Sequence, residues 1–306
     1  MKNDLKTTRG RRAEGLPLPQ IEGIEHRFVE MQDIRLHLAE AGQGEPLLLL
    51  HGWPQHWYMW CHLIPQLAVH YRVLCPDLRG FGWSDAPSRG YEKEQLATDI
   101  ISLLDTLGLD RVRLMGHDWG GWVGFLLCLR HPERVQRFLA LNIPHPWQRL
   151  DWPVLSTLWR FWYQWVIAFP GLGDWLLRQR PDFVSSIILR RSLVNKQALS
   201  DEDRARYAAC LQEPQRAHAS VALYRSFLLR EFFPIAFGRY RPFSLRVPTL
   251  VLYGTRDIFV SSKLLRGYQP HTHMMTVELV PQSGHFIAEE CPALVLERAR
   301  AFFTDV

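Results

Sequence analysis

Short apolar runs recur along the chain, each closed by glycine, proline or a polar cluster, with stretches of helical period between them. Alternating runs at 26–31 and 34–41, joined by a turn at Gln32-Asp33, read as two strands. Leu47-Leu48-Leu49-Leu50 is wholly apolar, as in a strand buried on both faces. Residues 71–75, 111–115 and 135–141 read as further strands, and 247–253 and 275–280 as the last two. Helical periodicity falls on 58–67, on 92–107 before Gly108, on the stretch from Asp118 to Arg130, and on 291–303. Strand and helix alternate, so the pattern predicts an α/β fold with a mostly parallel sheet flanked by helices. From Pro144 to Pro234 the alternation stops, and a helical, tryptophan-rich segment follows the sixth strand. The expected organisation is a disordered basic tail over 1–22, a core over 23–143 and 235–306, and a helical cap over 144–234.

In parallel sheets the reactive groups lie at the carboxyl ends of strands. His51, Asp77, Asp118 and Asn142 all fall there. The segment Gly116-His117-Asp118-Trp119-Gly120 lies between a strand and a helix. The spacing fits a sharp turn whose small residues let backbone approach backbone and push the central side chain outward. Serine is the usual centre of such a turn. Asp118 changes the chemistry, because a carboxylate is ionised at neutral pH and attacks saturated carbon without a base, leaving an ester on the enzyme. Asp257 and His285 each follow a later strand, giving the chain order nucleophile, acid, histidine. The loop after the sixth strand reads Asn142-Ile143-Pro144 and holds no carboxylate, which favours Asp257 as the acid.

These motifs, with His51-Gly52-Trp53-Pro54 after the first wholly apolar strand, resemble those of the soluble epoxide hydrolases of the α/β-hydrolase fold. The resemblance covers residues 24–304. It implies an oxyanion hole made by the N–H groups of Trp53 and Trp119. It also implies two cap tyrosines that hold and protonate an epoxide oxygen: Tyr163, in Trp162-Tyr163-Gln164 ahead of Pro170-Gly171, and Tyr224, in Tyr224-Arg225. The implied reaction opens an epoxide through an ester on Asp118 and hydrolyses it to a vicinal diol, with Asp257 and His285 activating water. No cofactor and no metal are implied; the expected partners are a small apolar epoxide and water, and a homodimer stays open. The Asp nucleophile and the His-Gly motif are shared with haloalkane dehalogenases, so dehalogenation remains the alternative. A non-catalytic ligand receptor on a hydrolase scaffold is the other.

Composition trims the remaining classes. The net charge is +5, and Lys2, Lys6, Arg9, Arg11 and Arg12 lie in the first twelve residues, so nucleic-acid binding is not expected. Arg11-Arg12 has no apolar run behind it, and no export signal is expected. Five scattered cysteines without a Cys-x-x-Cys pair read as reduced thiols of a cytoplasmic protein. His271-Thr272-His273 lacks a third ligand and reads as a loop. The glycine-rich loop 78–84 lacks phosphate-loop spacing. Residues 152–177 are apolar, but Arg160, Gln164, Pro170 and Asp174 interrupt them, so no membrane span is expected.

Overall fold

A computed structural model of the protein describes residues 16–148 and 151–304. Eight strands form one sheet: β1 Glu25–Glu30, β2 Arg35–Ala41, β3 Glu45–Leu50, β4 Tyr71–Pro76, β5 Val112–His117, β6 Val135–Leu141, β7 Thr249–Gly254 and β8 Met275–Val280. Their order is β1-β2-β4-β3-β5-β6-β7-β8. β2 pairs antiparallel with both neighbours, and every other pairing is parallel. All positions of β5 and β7 are buried, so both faces of the sheet must be covered.

The helices are α1 Ile64–Leu67, α2 Lys93–Thr106, α3 Trp119–Arg130, α4 Trp152–Leu155, α5 Trp162–Ala168, α6 Leu172–Gln179, α7 Asp201–Gln212, α8 Pro214–Ser226, α9 Phe232–Ala236, α10 Ile287–Glu290 and α11 Pro292–Thr304. Wider π-helical turns, Phe183–Arg190 and Phe227–Glu231, precede α7 and α9. The residues from α4 to α9 lie between β6 and β7 and cover the carboxyl ends of the central strands. Trp53, just after β3, stacks on Tyr163 of α5 and donates its indole N–H to Ser220 of α8. α7 begins with a reciprocal cap, Ser200 to the Asp203 N–H and Asp203 back to the Ser200 N–H.

The structure departs from the expectations in two places. The helix expected over 58–67 is a 3-10 turn, Trp57–Trp60, followed by the four-residue α1. Pro65 lacks an N–H and sits in the first turn of α1, where its missing donor is tolerated; a continuous helix would lose a bond there. The last helix falls where expected, beginning at Pro292 after the separate turn α10. Residues 1–15 of the expected disordered tail lie outside the described residues. The rest of it is not free: Pro19 is buried, Leu16, Leu18 and Ile21 pack on the core, and the Leu16 carbonyl accepts the Trp83 indole N–H at 3.2 Å. Cys75, Cys128 and Cys210 are buried, Cys61 and Cys291 partly so, and all five are free thiols. His271 stacks on Trp147.

Candidate active site

The turn between β5 and α3 holds Asp118 at φ +49° and ψ −123°, a conformation that L-residues rarely adopt. The flanking glycines make it possible. A Cβ on Gly116 would meet the Gly120 carbonyl oxygen at 2.6 Å, and one on Gly120 would strike the carbonyls of Leu50 and His51. The strained residue thus points its carboxylate away from the sheet and into a cavity. Oδ2 accepts the Trp53 N–H at 3.0 Å, and the Trp119 N–H also favours the ionised form. A Cβ on Gly52 would meet that same oxygen at 2.6 Å, so glycine there lets the 51–54 loop reach the carboxylate. Burial raises the Asp118 pKa above its ordinary value, against the pull of His285 and the two N–H groups.

His285 follows β8, and its Nε2 lies 3.9 Å from Asp118 Oδ1. Its Nδ1 lies 2.8 Å from Asp257 Oδ2. Asp257 follows β7 and is in turn held by the N–H groups of Phe259 and Val260 at 2.8 and 3.0 Å. Asn142, after β6, donates to Asp257 Oδ2 at 2.9 Å and to the Gly284 carbonyl at 3.1 Å. The position without a carboxylate therefore still serves the site, as an amide tying the two later loops together. His117 lies with Nε2 2.8 Å from the His285 carbonyl, and burial pushes its pKa down to about 3, so it is neutral and donates. Burial alone would lower His285, but Asp257 and Asp118 together push it up to about 9. Asp257 would rise on burial, but His285 and the Asn142 amide hold it low.

Above Asp118 lies a cavity of about 730 Å³, counting its solvent-open mouth. Its walls are largely apolar, with Trp122, Ile143, Phe161 and Phe227 beside Asp118 and Tyr163. Tyr163 is buried, its hydroxyl accepts from Gln164 at 3.3 Å, and Phe259 packs on its ring. Tyr224 is buried among Trp53, Trp119 and Tyr163. Burial raises both phenol pKa values, and the Asp118 charge raises them further, so both stay protonated and lie within its field. Of the seven residues singled out from the sequence, Asp118, Trp119 and Tyr163 line the cavity; Trp53 and Tyr224 pack against Tyr163, and Asp257 holds His285 beside Asp118. Chemically, the arrangement offers an ionisable nucleophile, a carboxylate-oriented imidazole and two hydroxyl donors.

Three supports were not foreseen. Asp77 is a buried hub: its carboxylate lies 2.8 Å from His37 Nδ1 and accepts the N–H groups of Trp57 and Trp83 at 2.8 and 3.0 Å, fixing the loops beside His51. Its place at a strand end was visible in sequence; its partners were not. Lys93, at the start of α2, is fully buried against Glu231 with its ammonium 4.6 Å from the Trp119 ring. Glu289 is buried beside Gln55, and burial pushes its pKa up to about 8. Neither carries a sequence signal, since lysine and glutamate inside helical patterns read as solvated faces.

A family model described as the alpha/beta hydrolase fold matches residues 45–292. A soluble epoxide hydrolase from a Corynebacterium species is 31% identical over 291 residues, covering 92% of this chain and 98% of the relative. Epoxide hydrolase 3 of Xenopus tropicalis is 30% identical, covering 92% and 78%. A fluoroacetate dehalogenase from a Burkholderia species is 28% identical, covering 93% and 95%. The structure of the epoxide hydrolase CorEH without ligand superimposes with a TM-score of 0.78 at 30% identity, covering 92% of this chain and 98% of that one. Motif, topology and relatives agree: the chain belongs to the α/β-hydrolase fold family, as an epoxide-hydrolase-like member.

Proposed function

We propose that the protein is an epoxide hydrolase that converts a small apolar epoxide to a vicinal diol through a covalent ester on Asp118, with residues 144–234 as its cap. The observation that carries this reading is the pair of phenols, Tyr163 and Tyr224, buried in the field of the Asp118 carboxylate. An epoxide oxygen leaves as an alkoxide, a strong base, and needs a proton donor at neutral pH. Asp118 attacks a ring carbon, the carbon–oxygen bond breaks, and a tyrosine proton goes to the departing oxygen. The cavity's apolar walls suit the rest of such a substrate.

The second half-reaction follows from charge. In the resting protein Asp118 helps hold His285 protonated. Esterification removes that charge, so the imidazole pKa falls; His285 gives up its proton, which makes good the one the tyrosine lost, and becomes a base when one is needed. It takes a proton from water, whose oxygen attacks the Asp118 ester carbonyl. The oxyanion forms on Asp118 and is held by the N–H groups of Trp53 and Trp119. Collapse releases the diol, with His285 returning the proton to its leaving oxygen; the proton left on the Asp118 carboxyl then passes to His285 and restores the resting charges.

Halide expulsion is less well supported. It would require free N–H donors, but the Trp53 indole donates to Ser220 at 3.1 Å and the Trp119 indole toward Tyr224. Turnover of styrene oxide beside a panel of chloroalkanes tests the reading. Diol formation with no halide release is expected. Halide release without diol formation would replace it with dehalogenation, and turnover of neither would favour a receptor. Single turnover in heavy-oxygen water should yield unlabelled diol, because the new oxygen comes from Asp118; label in that diol would refute the ester.

A further inference from the structure

The helices between β6 and β7 carry apolar residues on their outer side as well as their inner one. In α5, Tyr163, Gln164 and Ile167 face inward. Trp162, Trp165 and Phe169 face outward, with 44%, 56% and 60% of their surface exposed. Trp152 and Trp159 are 79% and 71% exposed, and Trp175 of α6 is 48% exposed. Soluble monomers rarely gather large apolar side chains at the surface unless something binds there. Tryptophan is an unusual choice for a plain protein contact repeated five times within 24 residues. Its ring is apolar with one polar edge, which suits the headgroup layer of a bilayer.

Charge points the same way. Arg178 follows Trp175 by one helical turn and shares its exposed face; Arg180, Arg190 and Arg191 are also exposed. From residue 151 to residue 196 six basic side chains stand against three acidic ones. Two copies meeting through this face would set like charges together. Anionic phosphates would complement it. Among the described residues no helix is long and apolar enough to cross a membrane, so the contact would lie on the surface.

The cavity shares its wall with this face. Leu158 and Phe161 line it from the chain that also carries Trp159 and Trp162, and Phe232 lines it beside the exposed Phe233. We propose that the outer face of α4–α6 docks on the surface of an anionic phospholipid bilayer, with the tryptophan rings at headgroup depth and the arginines against phosphates. An apolar molecule dissolved in the lipid would then enter the cavity without crossing bulk water. The surface assignment stands apart from the reaction proposed above, since it rests on outward-facing residues only.

Flotation of the full-length protein with phosphatidylcholine vesicles, with and without phosphatidylglycerol, tests it. Binding is expected, stronger with phosphatidylglycerol. The triple variant Trp152→Gln, Trp159→Gln, Trp165→Gln should bind at least tenfold more weakly while keeping its circular dichroism and its turnover of a water-soluble substrate. Arg178→Gln with Arg180→Gln should remove most of the phosphatidylglycerol dependence. No flotation of the parental protein, or unchanged flotation of the triple variant, would overturn the proposal. So would a parental dimer in sedimentation velocity that the triple variant converts to monomer, since a second copy would then cover the face.

Discussion

Lys93→Met tests how the helices over the sheet are held to it. The Lys93 ammonium is almost wholly buried. It lies 2.8 Å from Glu231 Oε2 and donates to the Leu223 carbonyl at 3.0 Å. The Lys93 backbone N–H also donates to Glu231 Oε1 at 2.9 Å, and Ser226 donates to Oε2 at 3.2 Å. Methionine fills most of the same volume but leaves the Glu231 carboxylate buried with two neutral donors. Breaking a buried pair in this way costs about 3–5 kcal/mol. Removing both charges, with Lys93→Met and Glu231→Leu, should recover most of that loss, because burial of either ion opposes much of what their attraction supplies. The double variant should therefore lose less than either single variant, a coupling energy of at least about 3 kcal/mol between the two sites. Urea denaturation of the parent, both single variants and the double variant measures it, provided the m-values agree. If each single variant lies within about 1 kcal/mol of the parent, or if the losses simply add, the pair does not act as argued.

Tyr163→Phe and Tyr224→Phe should each slow ester formation and leave ester hydrolysis nearly unchanged, and the double variant should lose roughly two to four powers of ten on epoxides, read by single-turnover kinetics. Parental opening rates in the double variant would make both residues packing groups. His285→Gln should accumulate a substrate-sized mass adduct on Asp118, visible by mass spectrometry of the intact protein. The His285 pKa is raised on folding from 6.5 to about 9, so its charged form stabilises the fold fully below pH 6.5 and ceases to do so as pH rises through about 9. The melting-temperature gap between parent and His285→Gln should narrow across that window; a gap independent of pH would contradict the raised value. Ester formation needs ionised Asp118, whose pKa is raised by burial, so its rate should fall on acidification at a higher pH than an ordinary carboxylate would dictate.

Legibility in the sequence followed the range of the forces involved. The Asp118 turn is local: two glycines two residues either side of an aspartate encode the strain without reference to the rest of the chain. Asp257 and His285 were readable because each directly follows an apolar strand, and parallel sheets bring such ends together. Tyr163 and Tyr224 were marked by likeness to known motifs rather than by pattern, since a buried tyrosine in a helical segment has the same periodicity as packing. Asn142 was noticed for its place at a strand end and for lacking a charge, but its partner was not; its bond to Asp257 spans 115 positions. The Lys93–Glu231 pair spans 138 positions and joins two helices whose patterns each look complete alone. Helix 58–67 failed because apolar spacing does not register a proline that interrupts the backbone bonding.

The N–H groups of Trp53 and Trp119 grip an oxygen of the protein itself. Under the proposed chemistry, the carbonyl attacked in the second step is always that of Asp118, whatever epoxide was opened. Discrimination among substrates then falls on the first step, where the ring carbon must approach Asp118 and the oxygen must reach the phenols. Once the ester exists, each substrate differs only in the alcohol that departs. Selection of variants for new epoxides should therefore act on the cavity walls and leave the 51–54 loop and the Asp118 turn alone. Across such variants, ester formation rates should spread widely while hydrolysis rates cluster.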